Sequence, residues 1–380
     1  MERGISLALA KFGSDWSQQY SPSSYVSSVF EHIRDCRTEA MGGRYMVCPE
    51  CASVFQAWNS CRDRHCPNCQ SAPREAWLLS RREELLPVTY FHVVFTLPSC
   101  LNSLALGNMK EAYAALFSSA WDTLKTFGEK HNLQLGMTAL LHTWGSNLSF
   151  HPHLHCIVPG GGYDIKKGKW KSLPQIKNGK NTEPFLFPVK ALSKMFRAKW
   201  MAAFSANVNV PDEVRKECFE QSWVVYAKSP VCGVEKTLDY IARYAYRVAI
   251  SNNRIKEVND ETVTFEYKDY RDGGKNKLMT LGGVEFLRRY AQHILPQRFV
   301  RIRHYGFLAP SNREKLGQMQ QALGVAPVPK HRKRKTWSSI CSAKGHVMNL
   351  CRECNVGILI MVDEIPKVRS PSLCSARKTA

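Results

Sequence analysis

The segment HPHLHC, residues 151–156, places histidines at 151, 153 and 155. On a strand, side chains two apart share a face, so His153 and His155 point together while Leu154 and Cys156 turn the other way. Two imidazoles at that separation can bind one divalent ion and leave positions open for water and substrate. A structural histidine cluster fits the same pattern, because twelve histidines in 380 residues give about 0.4 His-x-His pairs by chance. His142, nine residues before His151, raises the local density.

A second reactive set lies in GVEKTLDYIARYAYRVAI, residues 233–250, which has helical spacing. Tyr240 and Tyr244 are four apart and fall on one face, whereas Tyr246 is off it. Arg243 and Arg247 flank the pair. The alternative is a tyrosine-rich packing stripe. A phenol with a pKa near 10 attacks phosphate poorly unaided. A metal that polarises the phosphate and arginines that neutralise it would supply the help.

The third set is cysteine. Cys48-x2-Cys51 and Cys66-x2-Cys69 stand fourteen residues apart, the spacing of two knuckles that close a four-thiolate structural Zn2+ site in a ribbon. A site closed by four protein ligands is not catalytic. His32, Cys36, Cys61 and His65 offer a second site or, alternatively, core or DNA-facing positions. Cys341 and His346 with Cys351-x2-Cys354 offer another, set against loose thiols.

The partner is suggested by charge. A formal +21, spread along the chain and interleaved with aromatics as in Lys169-Trp170-Lys171, Arg288-Arg289-Tyr290 and Arg301-Ile302-Arg303-His304-Tyr305, points to nucleic acid. Arg62 and Arg64, with Arg74, make the cysteine module basic, and Arg62, Arg64, Arg247, Arg301 and Arg303 are the candidate DNA contacts. The run from His331 through Arg332 to Lys335 reads as a phosphate-contacting arm. The apolar stretch of MERGISLALAKFG is too short for a signal sequence, and GILIMV at 357–362 cannot span a bilayer. A cytoplasmic, nucleoid-associated protein without membrane contact is expected, and its cysteines are then metal ligands or buried thiols. No oligomeric state follows from these features.

The elements that must position these residues are legible in outline. Residues 1–46 are partly helical and lead into the cysteine module at 47–72, and a helix is expected from Pro73 to Leu86. Strands are expected at 89–98 and over 137–159, helices at 108–131 and 189–205, and a strand at 222–228. The tyrosine helix follows at 232–247, then a hairpin around Arg271-Asp272-Gly273-Gly274, a helix at 283–293 and a basic strand at 298–305. Strands mixed with helices without a βαβ period indicate α+β architecture with an antiparallel sheet. The expected domains are a helical zinc-binding unit (1–87), a nuclease domain (88–310) and a basic tail (311–380).

His153-Leu154-His155 together with Tyr240 and Tyr244 resembles the His-hydrophobic-His endonuclease superfamily. The whole pattern is similar to the two-tyrosine rolling-circle transposases of the insertion sequence 91 family. The stretches that carry the likeness are SCRDRHCPNC, YFHVVFTLP, HTWGSNLSFHPHLHCIVPGGG, YIARYAYRVAISNNRI and FLRRYAQHILPQRFVRIRHYGFLA, from about residue 30 to 310. The resemblance implies that His153 and His155 bind Mg2+ or Mn2+ at a phosphate of single-stranded DNA at the element's ends. One of Tyr240 or Tyr244, assisted by Arg243, would attack, leaving a 5′-phosphotyrosine and a free 3′-OH, and the other would serve a second transfer, including one to target DNA. It further implies a third ligand near the pair or on the tyrosine helix, among His142, Asp239 and Glu235, with His142 preferred. His151 is then a supporting residue and His92 a buried strand residue. The alternatives are a replication initiator or relaxase of the same superfamily, and a zinc-dependent DNA-binding regulator without chemistry.

Overall fold

A computed structural model describes residues 4–173, 176–178, 181–232, 234–331, 335–368, 370 and 372–373. Arg332, Lys333 and Arg334 of the basic run lie outside the described residues.

The central element is a five-stranded antiparallel sheet in the order Val225–Cys232, Thr89–Thr96, Phe150–Pro159, Gly136–Trp144, Ile302–Gly306. Its strands alternate, and the two faces differ. Phe91, Val93, Phe95, Ala139, Leu141, Leu154, Cys156 and Val158 point into the largest core, against helices Met109–Glu129 and Val189–Ser205. His92, His142, His153 and His155 fall on the opposite face, and Tyr90, Leu140 and Ile157 on that face pack with Tyr240 and Ile241 of helix Val234–Ala242. One face is therefore a packing surface and the other carries the polar groups, as the period of two requires.

The architecture is α+β with antiparallel sheets, as the sequence indicates. Helix Val189–Ser205 coincides with its expected span, and the hairpin Thr262–Asp269/Lys275–Gly282 turns at the anticipated glycines, with Gly273 and Gly274 at φ of 60° and 78°. Helix Val234–Ala242 is shorter than expected. Tyr244 N–H bonds the Ile241 carbonyl three residues back, and Tyr246 at φ 58° takes the left-handed terminal role usually given to glycine. Trp77 meets Tyr246 edge-on and the Arg301 guanidinium lies 5.1 Å from its ring centroid, contacts that hold this costly conformation.

The expected division at residues 87 and 310 cuts through shared packing. Helices Ile5–Tyr20 and Ser24–Asp35 bury Leu9, Phe12, Trp16, Phe30 and Ile33 in one core with Val263, Phe265, Phe286 and Tyr290. Nor does the tail stand apart: strand Ile360–Ile365 pairs antiparallel with Gly43–Val47, which pairs in turn with Val54–Trp58. No helix among the described residues is long and apolar enough to cross a membrane.

Candidate metal and tyrosine site

Register brings the histidines together. His142 sits opposite His153 across strands Gly136–Trp144 and Phe150–Pro159, and Leu140 opposite His155. A register shift between His142 and Trp144 re-aims the strand end beside the site. One ligand nitrogen from each of His142, His153 and His155 lies within 4.8 Å of the others, and His153 Nε2 is 3.1 Å from His155 Nε2. His153 Nδ1 donates to the His151 carbonyl (2.7 Å) and His142 Nε2 to the Tyr244 carbonyl (2.9 Å), which leaves His153 Nε2 and His142 Nδ1 with lone pairs. Burial drives His142 and His155 well below the usual histidine range, and His153 down to about 4. Three imidazoles held neutral on one face suit a divalent cation with open positions. Asp239 is exposed and Glu235 pairs with Arg82, so neither joins the cluster.

The tyrosines sit over this cluster. Their ring centroids are 5.4 Å apart and the hydroxyls 3.4 Å apart. The Tyr244 ring lies 4.2 Å from that of His155 and lines a cleft of about 920 Å³ with all three histidines. Tyr240 lies behind it, only 7% exposed, its hydroxyl 2.6 Å from His92 Nδ1, and burial raises its pKa. Arg243 lies over the Tyr240 ring at 5.7 Å, and exposed Arg247 lines the cleft with Arg254, Tyr267, Lys268 and Tyr270.

The cysteines do not meet as Cys48, Cys51, Cys66 and Cys69. Cys66 and Cys69 join Cys36 and Cys61, while Cys48 and Cys51 face Cys351 and Cys354. The reason is the hairpin Gly43–Val47/Val54–Trp58, which holds the Cys48 knuckle at its tip and Cys36 and Cys61 at its base. Five paired residues separate the ends by about 15 Å, beyond any single metal. A tetrahedral zinc places its sulfurs about 3.8 Å apart. Cys69 is 3.5 Å from Cys36 and 3.6 Å from Cys61, and Cys48–Cys354 and Cys51–Cys351 are each 3.7 Å, so both quartets fit zinc. The N–H groups of Cys61 and Gly357 point at Cys36 Sγ and Cys354 Sγ, favouring thiolate. A side chain at Gly357 would strike Cys48 Sγ, since a Cβ there would lie 2.4 Å away.

The other expected ligands are otherwise engaged. His65 donates from Nδ1 to Asp63 (3.0 Å) and accepts at Nε2 from the Leu295 N–H (3.1 Å), and His32 is outside the quartet. Cys341 and His346 do not join Cys351 and Cys354. Among the candidate DNA contacts, Arg64 donates to the Pro296 and Phe299 carbonyls, and Arg301 to Gln70 Oε1 (3.0 Å) and the Arg247 carbonyl (3.1 Å). Burial lowers the Arg301 pKa to about 10. These two half-buried arginines therefore join the cysteine module to the sheet. Arg303 packs on Phe117 and Phe299, and Arg62 is exposed in a separate groove with Trp77 and Trp337.

Comparison with known proteins gives this arrangement a family. Residues 136–315 match the family described as "Putative transposase", and residues 8–97 match "Transposase zinc-binding domain". "Putative transposase y4qJ" of Sinorhizobium fredii is 39% identical over 384 residues, covering 94% of each chain. "Transposase for insertion sequence element IS801" of Pseudomonas savastanoi pv. phaseolicola is 30% identical over 308 residues, 78% of this chain and 74% of that one. No solved structure matches. The chain belongs to the insertion sequence 91 family of transposases and carries that family's N-terminal zinc-binding domain.

Proposed function

We propose that the chain nicks single-stranded DNA at the ends of its element and moves the strand through a covalent tyrosine link, in rolling-circle fashion. The observation that carries the reading is the shared cleft: Tyr244 lines it beside His142, His153 and His155, with the Tyr240 hydroxyl 3.4 Å behind. Mg2+ or Mn2+ on the three imidazoles would polarise the scissile phosphate and offset the charge that builds up on it. Tyr244 Oη forms a bond to phosphorus, its proton passes to cleft water, and the P–O3′ bond breaks to release a 3′-OH. The product is a 5′-phosphotyrosine. The bond energy kept in that ester lets a later 3′-OH reverse the step at the target without a nucleotide cofactor. Tyr240, packed behind Tyr244, takes the second strand once the first tyrosine is occupied.

Arg247 and Arg254 supply positive charge to the strand in the cleft, and Tyr267 and Tyr270 offer faces on which unpaired bases stack. Such a protein works in the cytoplasm, at the nucleoid. Incubation with Mn2+ and labelled single-stranded DNA bearing the element's end should give a protein–DNA adduct stable to boiling in detergent. EDTA should abolish it, as should the double change Tyr240→Phe, Tyr244→Phe. No adduct from folded, zinc-loaded wild-type protein would refute the reading.

A further inference from the structure

His92 occupies a position that the reaction above leaves unexplained. It lies on strand Thr89–Thr96, opposite Ile157, one diagonal step from His155, and only 4% of it is exposed. Its Nε2 is 2.9 Å from His155 Nδ1 and its Nδ1 is 2.6 Å from the Tyr240 hydroxyl. The ring is stacked on His155 at 5.0 Å and meets Tyr240 edge-on at 5.2 Å. One imidazole thus bridges the histidine cluster and the tyrosine pair.

We infer that His92 is a positioning residue whose tautomer ties cation binding at His155 to the orientation of the tyrosine hydroxyls. This rests on reading His155 as a cation ligand. A neutral imidazole has one N–H and one lone pair, so the chain from His155 to Tyr240 has two polarities. In the first, Tyr240 donates to His92 Nδ1, His92 Nε2–H donates to His155 Nδ1, and His155 Nε2–H points at the lone pair of His153 Nε2. A proton then occupies the place of a cation. In the second, His155 Nε2 has its lone pair turned inward, as a ligand must. Its Nδ1–H donates to His92 Nε2, and His92 Nδ1–H donates to Tyr240 Oη. The Tyr240 hydroxyl hydrogen is then turned away from His92, and its oxygen accepts from His92 as well as from the Tyr244 hydroxyl, 3.4 Å away.

No proton is gained or lost between the two arrangements: two imidazoles exchange tautomer and one hydroxyl rotates. Ligation therefore selects the polarity in which Tyr240 Oη accepts from His92 while it holds the hydroxyl of Tyr244, the oxygen that attacks and later leaves. Metal-bound histidines ordinarily donate their second nitrogen to a partner that fixes the ring. Here that partner is another histidine, which passes the polarity on to the Tyr240 hydroxyl instead of ending it.

The test is 15N NMR of histidine-labelled full-length protein titrated with Mg2+. His92 should change from the Nε2–H to the Nδ1–H tautomer as His155 Nε2 takes the cation. A His155 response with His92 unchanged overturns this inference alone, whereas no response in His155 overturns the proposed function with it. A second measurement is Mn2+ affinity by calorimetry. His92→Phe should weaken it about 10- to 100-fold, and His92→Gln, which can accept and donate at the two ends, should recover most of the loss. A folded His92→Phe protein that binds Mn2+ as tightly as wild type overturns the inference.

Discussion

At the scale of the residue, the site depends on which nitrogens and oxygens are left available. His153 and His142 each use one nitrogen on a backbone carbonyl, which leaves the other with its lone pair. His293 shows the same economy in a structural role: it lies 3.2 Å from both the Thr143 hydroxyl and the Leu148 carbonyl, and burial lowers its pKa to about 4. Below pH 6.5 the unfolded chain takes up a proton that the folded chain refuses until about pH 4. Stability is therefore expected to fall as pH drops through that window, by up to about 3 kcal/mol from this group. Thermal unfolding of His293→Gln should show a shallower loss between pH 6.5 and 4 than wild type, and equal slopes would remove His293 from the account. The pairing of His153 with His155 was legible from a period of two. The part played by His92 was not, since only the register of strands Thr89–Thr96 and Phe150–Pro159 sets it beside His155, 63 residues away.

At the scale of the element, the hairpin Gly43–Val47/Val54–Trp58 decides which cysteines meet. Sequence spacing alone favoured Cys48, Cys51, Cys66 and Cys69 because two Cys-x2-Cys knuckles so close together suggest one site. A rigid five-residue ladder between the knuckles forbids it, and each half finds partners elsewhere. The Cys351 knuckle is delivered by strand Ile360–Ile365 pairing beside Gly43–Val47, a contact across some 300 residues that no local pattern announces. Two zinc ions per chain are expected. The double change Cys351→Ser, Cys354→Ser should leave one, because the Cys36 quartet is untouched, and should make the segment from about 345 onward sensitive to trypsin. A stoichiometry of one in wild type, or no change in the double variant, would contradict the two-quartet arrangement. Element positions were otherwise well marked, since long apolar periodicities such as that of Val189–Ser205 leave little ambiguity. The tyrosine helix was overextended because nothing in its composition marks Tyr246 for a left-handed φ.

At the scale of the whole molecule, a sheet with one face packed on two helices carries the histidine and tyrosine cluster on the other, and the cysteine-quartet segments from both ends of the chain are joined to it through Arg64, Arg301 and the shared core around Phe30 and Tyr290. The +21 charge points to nucleic acid, but composition could not say which arginines face the cleft and which bond backbone carbonyls of neighbouring segments. The cores and quartets are assembled from distant segments, which local composition does not show. The central claim is that a tyrosine in this cleft becomes covalently attached to DNA. Trypsin separates the two candidates, since cleavage after Lys236, Arg243 and Arg247 puts Tyr240 in residues 237–243 and Tyr244 in residues 244–247. After reaction with single-stranded DNA and Mn2+, nuclease trimming and mass spectrometry should find a nucleotide on Tyr244 of the 244–247 peptide. A nucleotide carried by a peptide outside 237–247, or by none, would contradict the account.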